Sequence, residues 1–172
     1  MTRQITLHVN GRKHKVSIED NWTLMRVLRE EIGLKGTKEV CGIGECGACT
    51  IIKNGKPVSS CCELAVRADG SSIETIEGLA NGPKLHPLQS AFIENSAFQC
   101  GYCTAGMIMM AKTLLDAKPT KVELSEKKIR NYMSGNLCRC TGYQQIIDAI
   151  KQASGMIAGT PKLEEKQIVV TK

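Results

Sequence analysis

The sequence predicts an α+β protein of two units, a small sheet crossed by one helix and, after it, an all-α bundle of four helices. Three observations predict it. Apolar residues recur with a period of two through most of the first half and with helical spacing through the second. A stretch holding Gly78, Gly82, Pro83 and Pro87 separates the halves. Nine cysteines fall into two groups, one per half.

The elements follow in order. Ile5, Leu7 and Val9 alternate with polar residues, and Asn10-Gly11 then leads into a second run through Val16 and Ile18. Asn-Gly supplies the positive φ angles of a type I′ turn, so this segment reads as a β-hairpin. Thr23 precedes Leu24, Val27, Leu28 and Ile32, which share one helical face, and Gly33 stands where a helix ends. Thr50 to Lys53, Asn54-Gly55 and Val58-Ser59 predict a second hairpin, while Val66 and Ile73 to Ile76 predict at least one more strand. Beyond the linker, Pro87 opens a helix carrying Leu88, Ala91, Phe92 and Ile93. Met107, Ile108, Ala111, Leu114 and Leu115 form the apolar stripe of the next, which ends near Pro119. Ser125 caps a third helix with Ile129, Tyr132 and Met133, and Thr141 caps a fourth with Ile146, Ile147, Ile150 and Ala153. The expected boundaries are 1–78 for the first domain, 79–87 for the linker, 88–154 for the helical domain and 155–172 for a tail. Ile168 to Val170 of that tail is the expected docking segment for a partner.

Composition excludes several classes. Lys plus Arg is 23 against 17 for Asp plus Glu, a formal charge of +6, with 42% hydrophobic and 23% charged residues. That is a globular balance, not a disordered one. No apolar run reaches the roughly 18 residues of a membrane span. Met1 to Asn10 alternates and lacks the apolar core of a secretory signal, so a soluble cytoplasmic protein is expected. Aromatics at 3% and the lack of a long basic run speak against nucleic-acid binding.

An odd number of cysteines without an export signal argues for reduced thiols that bind metal, not for a disulfide scaffold. Cys41, Cys46 and Cys49 have C-x4-C-x2-C spacing within CGIGECGAC, and Cys61 follows after eleven residues. This is the plant-type [2Fe-2S] spacing. Gly42, Gly44 and Gly47 let the backbone approach inorganic sulfur and donate N–H bonds to it. Spacing alone leaves open a zinc site, and leaves open whether Cys61 or Cys62 is the fourth ligand. The neighbour that does not ligate is expected to be a small buried hydrophobe.

In the second half Cys100 and Cys103 form C-x2-C, and Cys138 and Cys140 form C-x-C, each just before a predicted helix. Two helix N-termini would then converge on four thiolates and favour an anionic cluster there. On pattern alone a mononuclear metal site stays open. Other candidates read as structural. His8, His14 and His86 lack ligand partners, and Met107, Met109 and Met110 read as packing residues. Trp22 reads as a core or interface anchor, and Arg139 as either solvated or tuning a neighbouring site.

CGIGECGAC, QCGYCTAGM and CRCTGY, in that order, resemble the small iron–sulfur subunit of the xanthine dehydrogenase (molybdenum hydroxylase) family over roughly residues 3 to 154. The resemblance implies an N-terminal plant-ferredoxin-like β-grasp domain and a C-terminal four-helix bundle, each with one [2Fe-2S] cluster. It implies Cys41, Cys46, Cys49 and Cys61 as ligands of the first, and Cys100, Cys103, Cys138 and Cys140 as ligands of the second. Cys62 matches no ligand position. Gln99 matches the glutamine that hydrogen-bonds the pterin of the molybdenum cofactor. That cofactor sits on a large partner subunit and FAD on a medium one, in a heterotrimer or a dimer of heterotrimers. The implied role is electron transfer. Hydroxylation with oxygen drawn from water leaves two electrons on molybdenum, which pass through both clusters to FAD. A purine or related N-heterocycle is the substrate most frequent in the family. A free-standing two-cluster ferredoxin and a zinc-dependent interaction module are the alternatives. Ala105, where many relatives have proline, and the tail after the fourth helix depart from the family pattern.

Overall fold

The computed structural model describes residues 2–117 and 124–157, so Pro119 and the expected docking segment from Ile168 to Val170 lie outside the described residues. Strands β1 (Thr2–Val9) and β2 (Arg12–Glu19) pair antiparallel through Asn10 at φ 50° and Gly11 at φ 77°, the expected tight turn. Ile5, Leu7 and Val9 are buried on one face while His8 points outward. Strands β3 (Thr50–Lys53) and β4 (Lys56–Ser59) form the second hairpin through Asn54-Gly55. β5 (Ser72–Glu74) runs parallel to β1 and antiparallel to β3, giving the order β2-β1-β5-β3-β4. Val66 is not in a strand. It belongs to a 3-10 turn over Ala65–Ala68 that tucks Ala65 and Ala68 into the core.

One helical segment, α1, crosses the sheet, as an α turn over Leu24–Arg26 continued by a π turn over Val27–Glu31. Thr23 caps it by accepting the Arg26 N–H at 3.2 Å. Leu24, Val27 and Leu28 are fully buried against Ile5, Leu7, Ile18, Ile51 and Ile73, the core of the first domain. Trp22 packs at the edge of this core with the Arg26 guanidinium 4.0 Å from its ring, an anchor of the domain and not of the metal site.

Among the described residues the second domain has four helices, α2 (Pro87–Glu94), α3 (Thr104–Asp116), α4 (Glu126–Met133) and α5 (Gln144–Ile157). Leu88, Phe92, Met107, Ala111, Leu114, Ile129, Ile146, Ile147 and Ile150 make one continuous core. Ile93 departs from the expected stripe and is exposed, because the face of α2 that packs on the bundle is Leu88, Ala91 and Phe92. Thr141 does not cap α5. The helix begins at Gln144, three residues later, after Tyr143 takes φ 72°. The N-terminus of α5 therefore stands four residues from Cys140, whereas that of α3 begins directly after Cys103.

The two domains touch directly. Ile76 and Leu79 pack on the bundle core, and Lys112 of α3 reaches Glu74 of β5 at 3.4 Å and Asp116 at 2.5 Å. His86 caps α2, its Nδ1 accepting the Leu88 N–H at 3.2 Å while Gln89 Oε1 accepts the His86 N–H at 2.9 Å. Burial and the neighbouring Lys112 ammonium lower the His86 pKa, with Asp116 opposing in part. The folded state thus binds that proton less readily than the unfolded chain. Stability is expected to decline as pH falls through the unfolded histidine value of about 6.5. His86→Asn, which caps without titrating, should flatten that decline in urea midpoints compared at pH 5 and pH 7; an unchanged slope would remove His86 as its source.

Candidate metal centres

The first group of thiols lies on the loop between α1 and β3 and on the turn after β4. Cys46, Cys49 and Cys61 are buried and Cys41 is half-buried. Met25 of α1 packs against Cys49 and Cys61, so the helix forms the back wall. The sulfurs come in two pairs, Cys41 with Cys46 and Cys49 with Cys61, each within hydrogen-bonding range. The backbone N–H groups of Ile43, Cys46 and Glu45 turn inward, and chiefly the Ile43 N–H lowers the Cys41 thiol to about 6. Burial, with the Cys49 and Cys62 thiols, pushes Cys61 up to about 12, although the Gly44 N–H favours its thiolate. Gly44 has φ +80°, and a Cβ there would lie 2.9 Å from Cys62 Sγ. Only glycine serves both needs.

Cys62 is exposed, not the buried hydrophobe expected, with its sulfur 3.7 Å from that of Cys61. The turn that drives Cys61 inward sends its neighbour out. Cys62→Ser is expected to leave iron content and both EPR signals intact; loss of the first-domain signal would reverse the choice between the neighbours.

The second group lies at the end of the bundle. Cys103, at the N-cap position of α3, pairs with Cys138, and Cys100 pairs with Cys140 at 3.6 Å. Cys103 and Cys138 are half-buried; Cys100 and Cys140 are exposed. Burial and the Cys138 thiol push Cys103 up to about 12, and the Cys100 thiol raises Cys140. Gln99 is exposed and donates Nε2 to the Cys140 carbonyl at 3.0 Å, tying the two cysteine loops together. Arg139 is exposed.

These features fit a [2Fe-2S] cluster in each group. Such a cluster takes two thiolates on each of two irons, and the sulfurs are arranged two plus two. Among the described residues no group of three His, Cys, Asp or Glu side chains is arranged around a single ion. Thr104, the first residue of α3, has a buried hydroxyl with no partner, a donor beside Cys103 that lacks an acceptor. Crowded thiols that resist ionisation would give up their protons on binding a cation.

The two centres adjoin. Leu137 N–H, one residue before Cys138, donates to the Cys46 carbonyl at 2.9 Å. Asn136, 3% exposed, donates Nδ2 to the Gly47 carbonyl at 3.0 Å. Tyr102 OH reaches the Glu39 carbonyl at 3.3 Å. Asn136 and Leu137 lie outside the motifs, and Thr141 and Tyr143 lie within CRCTGY without a role of their own there, so sequence reasoning missed all four as site residues. The C-x-C spacing marks only the cysteines they support.

Comparison with known proteins agrees with this geometry. Residues 7–75 match the family described as a 2Fe-2S iron-sulfur cluster binding domain, and residues 75–151 match the one described as a [2Fe-2S] binding domain. The nicotinate dehydrogenase small FeS subunit of Eubacterium barkeri is 50% identical over 149 residues, 87% of this chain and 93% of that protein. One chain of the probable xanthine dehydrogenase of Bacillus subtilis is 46% identical over 144 residues, 84% of this chain and 81% of that one. Quinoline 2-oxidoreductase of Pseudomonas putida 86 superposes with a TM-score of 0.86 at 47% identity, covering 91% of this chain and 96% of the matched chain. Fold and matched domains define a two-domain iron–sulfur protein, ferredoxin-like in its first half. The chain belongs to the small iron–sulfur subunits of the xanthine dehydrogenase family of molybdenum hydroxylases, and its role is electron transfer within such an oxidoreductase.

Proposed function

We propose that Cys41, Cys46, Cys49 and Cys61 hold one [2Fe-2S] cluster, that Cys100, Cys103, Cys138 and Cys140 hold the other, and that the chain relays electrons from a molybdenum centre to FAD. The observation that carries the relay is the Leu137 N–H to Cys46 carbonyl bond of 2.9 Å, which joins the residue before Cys138 to Cys46 and supports a short path between the two proposed centres. When bound, each cluster accepts and passes one electron at a time. The chain's own residues position the cysteines and exclude water. Met25 seals the inner pair of the first centre, and Cys103 and Cys138 face inward in the second.

The exposed Cys100–Cys140 pair and Gln99 support an entry side at the tip of the bundle. Gln99, anchored on the Cys140 carbonyl, would hydrogen-bond the pterin of a molybdenum cofactor held by a large subunit. FAD would belong to a medium subunit on the side of the first domain, the three forming a heterotrimer or a dimer of heterotrimers. Val40, Ile43, Phe98, Tyr102 and Leu137 border the cysteines and are 40 to 66% exposed, an apolar rim suited to burial by such partners. Among the described residues no helix is long and apolar enough to cross a membrane. The wealth of free thiols favours a reducing, cytoplasmic compartment. Relatives named for nicotinate, caffeine and nicotine support an N-heterocycle, with purines included, as the substrate of the assembly. The domain boundaries proposed are 1–78, 79–87 and 88–154, with 155–172 as the tail.

The test is iron and acid-labile sulfide per polypeptide after anaerobic purification, with gel filtration of native extract. About four irons and two distinct EPR signals in a large assembly are expected, two irons for each [2Fe-2S] centre. Colourless protein would refute the cluster assignment. A solitary peak near 18.7 kDa would make the chain a free carrier.

A further inference from the structure

Thr141 follows Cys140 directly and is 9% exposed. Its Oγ1 lies 3.2 Å from Cys138 Sγ and 3.3 Å from the Tyr143 nitrogen. The Tyr143 N–H donates to Oγ1, which occupies one lone pair and leaves the single hydroxyl proton for the sulfur. Tyr143 achieves this from φ 72°, a conformation that bulky residues rarely adopt and that persists only where surrounding contacts enforce it. Those contacts are present. The Tyr143 phenol accepts the Cys138 N–H at 2.8 Å and donates to the Asn136 carbonyl at 3.4 Å. Tyr143 therefore fixes both the backbone of Cys138 and the hydroxyl on its sulfur.

We propose that the Thr141 hydroxyl sets the reduction potential of the bundle cluster through its hydrogen bond to Cys138 Sγ, with Tyr143 as the residue that aims it. This rests on the reading of Cys138 as a ligand. Reduction adds one negative charge that is shared with the ligand sulfurs, so a donor to sulfur stabilises the reduced state more than the oxidised one and raises the potential.

EPR-monitored potentiometry on the purified assembly tests this with Thr141→Val and Thr141→Ser. Valine keeps the shape and removes the donor. At a fixed ambient potential its ratio of reduced to oxidised bundle cluster is expected to fall about tenfold, equivalent to about 59 mV for a one-electron couple. Serine restores the wild-type value, and the first-domain signal keeps its midpoint in both variants. An unmoved bundle midpoint in Thr141→Val, a serine variant that shifts as far as valine, or equal shifts at both clusters would each overturn the proposal. If Thr141→Val does not retain the cluster, Thr141→Ala is measured in the same way, since it removes the hydroxyl without adding bulk. A bundle signal missing from the wild-type assembly would overturn the ligand reading, and this proposal with it.

Discussion

Replacing Cys103 with serine is expected to abolish the bundle cluster and leave the other intact, so that iron per polypeptide falls by about half and one of two EPR signals disappears. The asymmetry follows from the fold. Cys103 stands at the head of α3, and its sulfur touches Cys138 and sits near the unpartnered Thr104 hydroxyl. None of the first-group cysteines belongs to that helix. Serine is a hard oxygen donor with a far higher pKa than a thiol, so it replaces a thiolate poorly on iron. Cys49→Ser should give the reciprocal result, losing the first-domain signal while the bundle signal persists. The first-domain core of Leu24, Val27, Ile51 and Ile73 contains no iron ligand, so that domain should stay folded. Iron analysis and EPR on both variants decide the matter. Simultaneous loss of both signals from either variant would show that the eight thiols do not form two separate centres.

The sequence makes the local features legible and conceals the long-range ones. Asn10-Gly11 and Asn54-Gly55 announce their hairpins because a type I′ turn needs two positive φ angles, and few residue pairs supply them. Thr23, Pro87 and Ser125 mark helix starts for equally local reasons, a side-chain acceptor or a preset φ. The thiol groups are readable because their spacing within a loop is that of [2Fe-2S] proteins. Thr141 misleads for a physical reason. A threonine before an amphipathic run is the ordinary signature of a cap, but here its hydroxyl turns to Cys138 and Tyr143 bends the chain instead. Nothing in the residue type of a tyrosine foretells φ 72°. Val66 likewise has a strand former's side chain, yet it lies in a 3-10 turn of the link from β4 to β5.

The junction of the domains is the part that no periodicity reveals. Asn136 and Gly47 are 89 positions apart, and the bond between them leaves no pattern in either segment. One residue gives a hint. Gly106 sits inside an otherwise strong helical stripe, where glycine costs about 1 kcal/mol relative to alanine, so its presence calls for a packing reason.

That reason sets the second large effect. A Cβ on Gly106 would lie 2.3 Å from the Gly47 carbonyl oxygen and 2.9 Å from that of Ala48. Both obstacles are backbone of the loop that bears Cys46 and Cys49, so no side chain can swing aside. In a free helix Gly106→Ala would stabilise by about 1 kcal/mol. Here the overlap forces α3 away from the loop, and overpacking of a close interface costs typically about 1–3 kcal/mol. The interface term wins. Net destabilisation of up to about 2 kcal/mol is expected, a fall of up to roughly 4–8 °C in melting temperature for a chain of this size. Gly135→Ala is the matched control, since its Cβ meets nothing within 4 Å and its φ is not in the left-handed region. Because Leu137 N–H and Asn136 Nδ2 bond that same loop, displacing it also stretches the contact between the two centres. Magnetic interaction between the clusters, read from the power saturation of their EPR signals, should therefore weaken in Gly106→Ala and stay unchanged in Gly135→Ala. A Gly106→Ala protein that melts at or above the wild-type temperature, with its cluster interaction unaltered, would show that the close approach of α3 to the Gly47–Ala48 backbone does not join the domains.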